Sequence, residues 1–323
     1  MTDIAVIILV GQEKLHIRRC LERLRDLNPQ QIFVVESQPS DGTHEIAVEM
    51  GAATAFNKWP GLYAKQFNWA LDNLPIKTSW VLRLDADEYL TEDTIERLKV
   101  ELPTLPEDVT GLRLELKRRF MGGEIRHGTN GIMLLRVFRY GIGRCEERAM
   151  DEHIVLSRGR CIDFDGAFYD DNLNSFEWWQ EKHRGYAKRE ALDAISLFNN
   201  PERLKNPSAT DKKKIKYYKL PPYLRAFAYF SIRYFLKLGF LDGVAGFRWH
   251  FYQGLWYRCL VDREISKLHG SNLASALSFG VLRQETIGAK NCGEADSRIK
   301  SERNCHPRRR HSWLQEVKDS KMI

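Results

Sequence analysis

The sequence predicts a three-layer α/β fold, an open and mostly parallel sheet with helices on both faces, joined to a C-terminal helical region. Three observations carry this. Short apolar strands alternate with helical stretches up to Leu84. Those strands lack the in-and-out alternation of a half-solvated sheet, as expected where both faces are covered. From Ser175 onward the pattern changes to long helical stretches rich in aromatic residues.

The elements follow in order. IAVIILV (4–10) reads as the first strand, and QEKLHIRRCLERLRDL places Leu15, Leu21 and Leu24 at helical spacing. QIFVVES (31–37) is the next strand. Asp41, Gly42 and Thr43 open the helix THEIAVEMGA, which Gly51 closes, and ATAF leads into WPGLYAKQFNWALDNL, a helix begun near Pro60 and Gly61. SWVLRL is a strand and TIERLKVEL a helix. After the breakers Pro103 and Pro106 come the strands GLRLELKRRF, GIMLLRVFRY and MDEHIVL (150–156). SFEWWQEKHRGYAKREALDAISLF is helical, 201–220 reads as a basic linker, and an aromatic helical region follows. The boundaries this predicts are an α/β domain over 1–168, a helical membrane-associating region over 169–268 and a disordered basic tail over 269–323.

With 323 residues and 43% hydrophobic content, the chain can bury one large core plus an appendage. The net charge of +7 is concentrated in runs at 212–219 and 308–310. No nucleic-acid recognition motif accompanies them, so the expected polyanion is an anionic membrane surface and not nucleic acid. Six cysteines without CxxC spacing predict reduced thiols and no zinc site. The apolar run directly after Met1 reads as a strand rather than a signal peptide, so the expected location is cytoplasmic, peripheral on the inner face of the cell membrane. Within 223–261, Arg225, Arg233, Lys237, Asp242, Arg248 and Arg258 interrupt every window long enough to span a bilayer. Interfacial helices fit this pattern. A buried helical subdomain with arginine stems along its flank is the alternative.

The candidate chemistry begins where SWVLRL ends on Asp85, Asp87 and Glu88. Such acids must be solvated, ion-paired or facing a cation. In open sheets ligands bind beyond the carboxyl ends of strands, so Glu36 and this cluster should share one crevice. Neither a dinucleotide glycine turn nor a P-loop is present, and a phosphate ligand would need another counter-charge. Asp85 and Asp87, two apart in an extended segment, would project to one side and could hold a hard divalent cation. Asp151, Glu152 and His153 form a second cluster on a predicted strand, whose alternation aims Asp151 and His153 one way and Glu152 the other. A structural salt bridge there is the competing reading.

VIILVGQEKLHIRRCLERL, IFVVESQPSDGTHEIAVEMGA, WPGLYAKQFNWAL and WVLRLDADEYL, in this order, resemble the family 2 glycosyltransferases with the GT-A fold. MDEHIVL, WWQEKHRGYAKREA and RYFLKLGFLDGVAGF are similar to the bacterial subgroup that builds lipopolysaccharide core and related surface polysaccharides. The resemblance implies a GT-A-like nucleotide-sugar-binding domain and a metal-dependent inverting transferase. Its donor would be a nucleotide sugar, UDP-sugar foremost, and its acceptor a hydroxyl of a glycolipid or polysaccharide precursor. By family pattern Glu13, Glu36, Asp41, Gln66, Asn68 and Asp85 border the donor. Asp87, with Asp85, would hold a divalent metal, Mg or Mn, and His153 would be a third contact or an orienting group. Glu152 would be the general base, with Asp151 the runner-up.

Three departures weaken the donor assignment. Val10, Gly11 and Gln12 replace the usual turn, Glu36 replaces an aspartate, and Phe67 stands where many relatives carry a basic residue. Two rival functions keep parts of this reading: sugar transfer to a polyprenyl phosphate, and a non-catalytic lipid- or glycan-binding protein.

Overall fold

The computed structural model describes residues 1–38, 41–129, 131–147 and 153–268. The first part runs β1 (Thr2–Val10), α1 (Ile17–Leu24), β2 (Pro29–Glu36), α2 (Thr43–Glu49), β3 (Ala53–Phe56), α3 (Tyr63–Asn73), β4 (Trp80–Asp85), β5 (Glu88–Leu90) and α4 (Glu92–Glu101). Then come β6 (Val109–Phe120), β7 (Gly123–Ile125), β8 (Ile132–Arg139), β9 (Gly143–Cys145), β10 (Ile154–Leu156) and β11 (Arg160–Asp171). The helical region comprises α5 (Phe176–Asn199), α6 (Pro201–Lys205), α7 (Ala209–Tyr218), α8 (Leu224–Ser231), α9 (Gly243–Trp249) and α10 (Tyr257–Leu268). Wider, π-helical turns at Ile232–Leu236 and His250–Trp256 connect the last three.

The main sheet has the order β3-β2-β1-β4-β8-β6-β11-β5, with β7 paired to β6. β1 pairs in parallel with β2 and β4, and β2 with β3. β8 runs antiparallel between β4 and β6, while β11 is parallel to β6. The carboxyl ends of β1, β2, β4, β6 and β11 therefore point to one edge.

Helices cover both faces, as the sequence predicts. Alternate residues of β1 serve different layers. Ile4, Val6 and Ile8 pack with Leu82, Leu84 and Leu112 beneath α1 and α4. Ala5, Ile7 and Leu9 meet Ala64, Phe67, Ala70 and Leu71 of α3 on the other side. A strand buried on both faces needs apolar residues at every position, which is why β1 reads as a continuous run.

Several expectations need correction. Leu15 precedes α1 and is 60% exposed; Ile17, Cys20, Leu21 and Leu24 form the buried stripe instead. The segment 201–220 is not a linker. Asn200 caps α6, and Ser208 with Asp211 forms a capping box on α7. Lys214 is also not a free charge, since Asp193 accepts from it at 2.7 Å and from Arg203 at 3.1 Å.

β11 was not anticipated. Its acids and Gly166 break the apolar pattern, and its pairing with β6 shifts register between Asp163 and Ala167. Gly166 permits that irregularity, because a Cβ there would lie 2.9 Å from Thr94 Oγ1. β11 runs to Asp171, three residues past the expected domain boundary at 168. Of MDEHIVL, only His153 onward is described, with β10 pairing antiparallel to β9. The predicted tail, 269–323, lies outside the described residues.

In the helical region three of the arginines do not lie along a flank, while Arg248 is exposed. Arg225, Arg233 and Arg258 are buried, while Phe227, Phe235 and Leu236 are exposed. Asp262 pairs with Arg225. Glu190 on α5 accepts from Arg258 at 2.5 Å and from the Tyr257 hydroxyl at 2.6 Å, tying α5 to α10. Among the described residues no helix is long and apolar enough to cross a membrane, which agrees with the sequence reading.

The Glu190–Arg258 pair yields a stability prediction. Arg258→Met strands a buried carboxylate, so urea unfolding should show a loss of about 3–5 kcal/mol. The double variant Glu190→Leu/Arg258→Met should recover much of it, since neither member of the pair then leaves a charge behind, although the Tyr257 hydroxyl loses its acceptor.

Candidate active site

β4 delivers Asp85 to the carboxyl edge of the sheet, where its Cα pairs with Leu9 of β1. Ala86 and Asp87 then form a turn, and β5 starts at Glu88. Asp85 and Asp87 are thus separated by a turn and do not share the extended segment that the sequence suggested. The third acid has a protein partner. Glu88 is 2% exposed, pairs with Arg136, and accepts from the Asp85 backbone N–H at 3.0 Å. Beside them the Arg83 guanidinium lies 5.2 Å from the Phe67 ring and 3.9 Å from Asp85. A cation therefore stands near the position where Phe67 had removed one.

The far end of β11 closes the site from the other side. The Asp171 backbone N–H donates to the Asp87 carbonyl at 3.1 Å, and the Asn172 amide donates to Asp87 Oδ2 at 3.0 Å. Arg19 of α1 donates to Asp171 Oδ2 at 2.8 Å and reaches the carbonyls of Asp87 and Asp171. His16 bridges further along, accepting from Leu173 N–H through Nε2 at 2.9 Å and facing Glu13 through Nδ1 at 2.6 Å. With Nε2 as acceptor, the neutral ring donates its Nδ1 proton to Glu13.

This arrangement disfavours the charged form of Asp87. Desolvation first, then Asp170, then Asp85 raise its pKa to about 6, with Glu13 adding to the effect and the Asn172 amide opposing it. Sequence reasoning missed Asp170, Asp171, Asn172, Arg19 and His16. The available signal was YDDN, a second strand ending on acids just as LDADE does.

The remaining predicted residues fall into distinct groups. Glu36 ends β2 opposite Val10, is 6% exposed, and meets His44 Nδ1 at 2.7 Å. That contact raises the His44 pKa. Burial works against ionisation of Asp41, yet Thr43 and the Lys14 backbone hold its carboxyl below the usual range.

Gln66 and Asn68 do not border an open crevice. Gln66 donates to the Asn57 carbonyl at 3.1 Å and accepts from the Asn57 amide at 2.8 Å, and Asn68 bonds both backbone groups of Cys145 at 2.9 Å. Both are buried ties beneath the site. His153 gives its carbonyl to Glu146 N–H at 2.8 Å. Among the described residues no three His, Cys, Asp or Glu side chains are grouped to hold an ion, so His153 does not complete a set with Asp85 and Asp87. Asp151 and Glu152 lie outside the described residues.

One wall of the crevice comes from the helical region. Lys182 of α5 sits with its amine 4.6 Å from the Trp178 ring and 5.8 Å from the Tyr186 ring. Crowding works against its charge, but Tyr186, Asp87 and Tyr63 raise its pKa overall. Tyr63, at the start of α3, is 57% exposed and packs edge-on to Trp59 at 4.7 Å. Acids, a lysine and exposed aromatic rings thus converge. A cavity of about 570 Å³, with Arg23, Tyr89, Lys117 and Tyr169 in its wall, lies at the β5–β11 edge and includes neither Asp85 nor Asp87.

The residues fit a hard divalent cation in one respect. Asp85 and Asp87 offer oxygen donors at a point where burial, and then neighbouring carboxylates, raise the Asp87 pKa. One or two carboxylates suffice where a ligand's phosphates complete the coordination. The pH dependence follows. Cation binding requires Asp87 to lose its proton, so titration calorimetry should show Mn²⁺ affinity rising as pH increases through about 6, with Asp87→Asn flattening the rise. Without a cation the sign reverses for stability. A raised carboxyl pKa means the fold weakens as pH climbs from the ordinary carboxylate range through about 6.

Residues 5–136 match the model of glycosyl transferase family 2. Uncharacterized glycosyltransferases of Rickettsia conorii and Rickettsia felis are each 28% identical, over 96 and 99 residues. These stretches cover 30% and 31% of this chain and 33% and 34% of the relatives, so the chain spans about a third of their length. Among solved structures, glucosyl-3-phosphoglycerate synthase from Mycobacterium tuberculosis, in complex with Mn²⁺, uridine diphosphate and glucosyl-3-phosphoglycerate, is 16% identical with a TM-score of 0.28. It covers 36% of this chain and 44% of its own. Mannosyl-3-phosphoglycerate synthase from Rubrobacter xylanophilus is 17% identical with a TM-score of 0.31, covering 37% and 42%. The sequence resemblance to family 2 is borne out over residues 5–136.

Proposed function

From the family 2 glycosyltransferase match over residues 5–136, we propose that this chain is a metal-dependent inverting glycosyltransferase. It moves a sugar from a nucleotide-sugar donor, UDP-sugar foremost, to a hydroxyl of a bacterial surface glycolipid or polysaccharide precursor of the lipopolysaccharide core type. One observation carries the reading: Asp85, Asp87 and Asp170 crowd the carboxyl edge of a mostly parallel sheet, where ligands of such folds bind.

In this reading the ends of β1 and β2, with Glu13, Asp41 and Glu36, border the nucleoside, and Tyr63 and Trp59 offer ring faces at the mouth. Asp87 and Asp85 hold the divalent ion, which supplies charge neutralisation for the departing diphosphate. Lys182 adds a positive group on the opposite wall. Glu152 takes the proton of the acceptor hydroxyl as its oxygen attacks the anomeric carbon, with Asp151 the alternative base.

Features of the helical region support a membrane-borne acceptor. Tyr223, Leu224, Phe227, Phe235, Leu236 and Leu241 are each 50% exposed or more. Lys212, Lys213, Lys216 and Lys219 are exposed on or just beyond α7, close before them in sequence. Apolar side chains beside basic ones suit the surface of an anionic bilayer, and the chain would act there on its cytoplasmic face.

A donor-hydrolysis screen over UDP-, GDP- and dTDP-sugars with Mn²⁺ or Mg²⁺ tests the chemistry. Asp87→Ala should abolish turnover and EDTA should do the same; turnover that survives EDTA removes the metal from the proposal. Glu152→Gln should keep donor affinity and lower the transfer rate by about a hundredfold or more. If Asp151→Asn has that effect instead, the two acids exchange roles. Activity in both variants points to an acceptor that needs no base, such as a polyprenyl phosphate. Replacing Phe235 and Leu236 with Asp should release the protein from anionic vesicles in a flotation assay, and unchanged binding would refute the apolar contact.

A further inference from the structure

Beneath the exposed apolar residues lies an imbalance of charge. Three guanidiniums cluster around Trp249 and Tyr229: Arg118 lies 4.9 Å and Arg233 6.0 Å from the Trp249 ring, and Arg233 and Arg258 lie 5.2 Å and 5.4 Å from that of Tyr229. Two of them have carboxylate partners. Arg118 meets Asp170 at 3.5 Å, and Arg258 meets Glu190.

Arg233 is 3% exposed, and among the described residues no carboxylate stands within ion-pair distance of it. Its Nη1 reaches the Tyr229 hydroxyl at 3.4 Å, while Nε and Nη2 have no acceptor. The buried indole N–H of Trp249 has none either. Leaving a guanidinium buried without a counter-anion is among the costlier arrangements a fold can hold. Burial disfavours the Arg233 charge most, the neighbouring Arg258 and Arg118 disfavour it further, and Tyr229 offsets only part of this.

The segment carrying Arg233 is a π-helical turn, Ile232–Leu236, a departure from α-helical winding that often marks a functional position. Phe235 and Leu236 of the same turn are exposed at 56% and 77%. In sequence the buried Arg233 donors lie within three residues of the exposed Phe235 and Leu236. A planar fork of N–H donors matches the oxygens of a phosphate.

We infer that Arg233, with the Trp249 indole N–H, forms an anion subsite that takes the phosphate group of a lipid lying against the Phe235–Leu236 surface. The lipid assignment rests on the proposed membrane-borne acceptor; the unpaired charge does not. Occupancy would connect to the acid cluster through Arg118, which shares Trp249 with Arg233 and pairs with Asp170.

The test is thermal unfolding of the full chain with a short-chain phosphatidic acid below its micelle concentration, with inorganic phosphate, and with sodium chloride at equal ionic strength. Phosphatidic acid should stabilise the wild type more than either salt. Arg233→Met should be no less stable than wild type in plain buffer, because an unpaired buried charge is gone, and should lose the response to phosphatidic acid. Arg233→Lys should keep the response with affinity about tenfold weaker or worse. If the Met variant does not fold, the Lys variant and phosphorus NMR line broadening of phosphatidic acid on the wild type carry the same comparison.

Equal stabilisation by inorganic phosphate and phosphatidic acid would overturn the lipid as the source. No phosphate-dependent shift, or one that persists in Arg233→Met, would overturn the subsite. Mn²⁺ binding should be unchanged in both variants. The subsite can therefore fail while donor turnover survives, and the glycosyltransferase reading can fail while the subsite stands.

Discussion

Holding Asp87 beside Asp85 and Asp170 is the constraint on which the rest of the carboxyl edge depends. Burial first, and then the neighbouring carboxylates Asp170 and Asp85, raise the pKa of Asp87. The fold surrounds the acids with directed contacts. Arg19 binds the carbonyls that bracket the site, Asn172 donates to Asp87, Arg118 faces Asp170, and the Glu88–Arg136 pair anchors the start of β5. Each contact fixes a backbone or a neighbour while leaving Asp85 and Asp87 on the crevice side. The acids are positioned by the protein, and in the proposed function this edge is where a divalent cation would sit.

The legible parts of this chain were those decided locally. β1 to β4 could be read because burial on both faces imposes unbroken apolar runs, and Thr43, Gly51 and Pro60 mark the helix limits. Asp85 and Asp87 were visible as acids at a strand end. Their partners were not, because Asn172 and Asp171 come 85 and 84 positions after Asp87. β11 escaped because its register shift and acids disguise a strand that is held mainly by pairing with β6. Gln66 and Asn68 showed a related ambiguity: an amide in a helix reads the same whether it faces a ligand or, as here, closes a buried backbone bond.

The helical region inverts the usual distribution of residue types. Arg225, Arg233, Arg258, Glu190 and Asp262 are inside, and Phe227, Phe235, Leu236 and Val244 are outside. Periodicity detected helices but could not say which side faced inward, since arginine and phenylalanine alternate on both. The pairs Arg225–Asp262 and Arg258–Glu190 specify which helices meet, while Arg233 has no carboxylate partner among the described residues. An apolar exterior has no such internal explanation, and it is the feature that most directly motivates a lipid environment.

The position of β11 has a consequence for how the protein matures. Pairing β11 alongside β6 closes a loop of some fifty residues, from register partners such as Leu116 and Phe168, and only then do Asp170 and Asn172 reach the Asp87 turn. Contacts of that sequence separation form late, after local elements are in place. The segment 5–136 that carries the family resemblance lacks them altogether. During synthesis the emerging chain could build β1 through β8 and still have an unfinished acid cluster. The acid cluster would then be completed abruptly, when the residues just past 172 leave the ribosome, so that an incomplete chain would be folded in its first layers yet lack the contacts that hold Asp87.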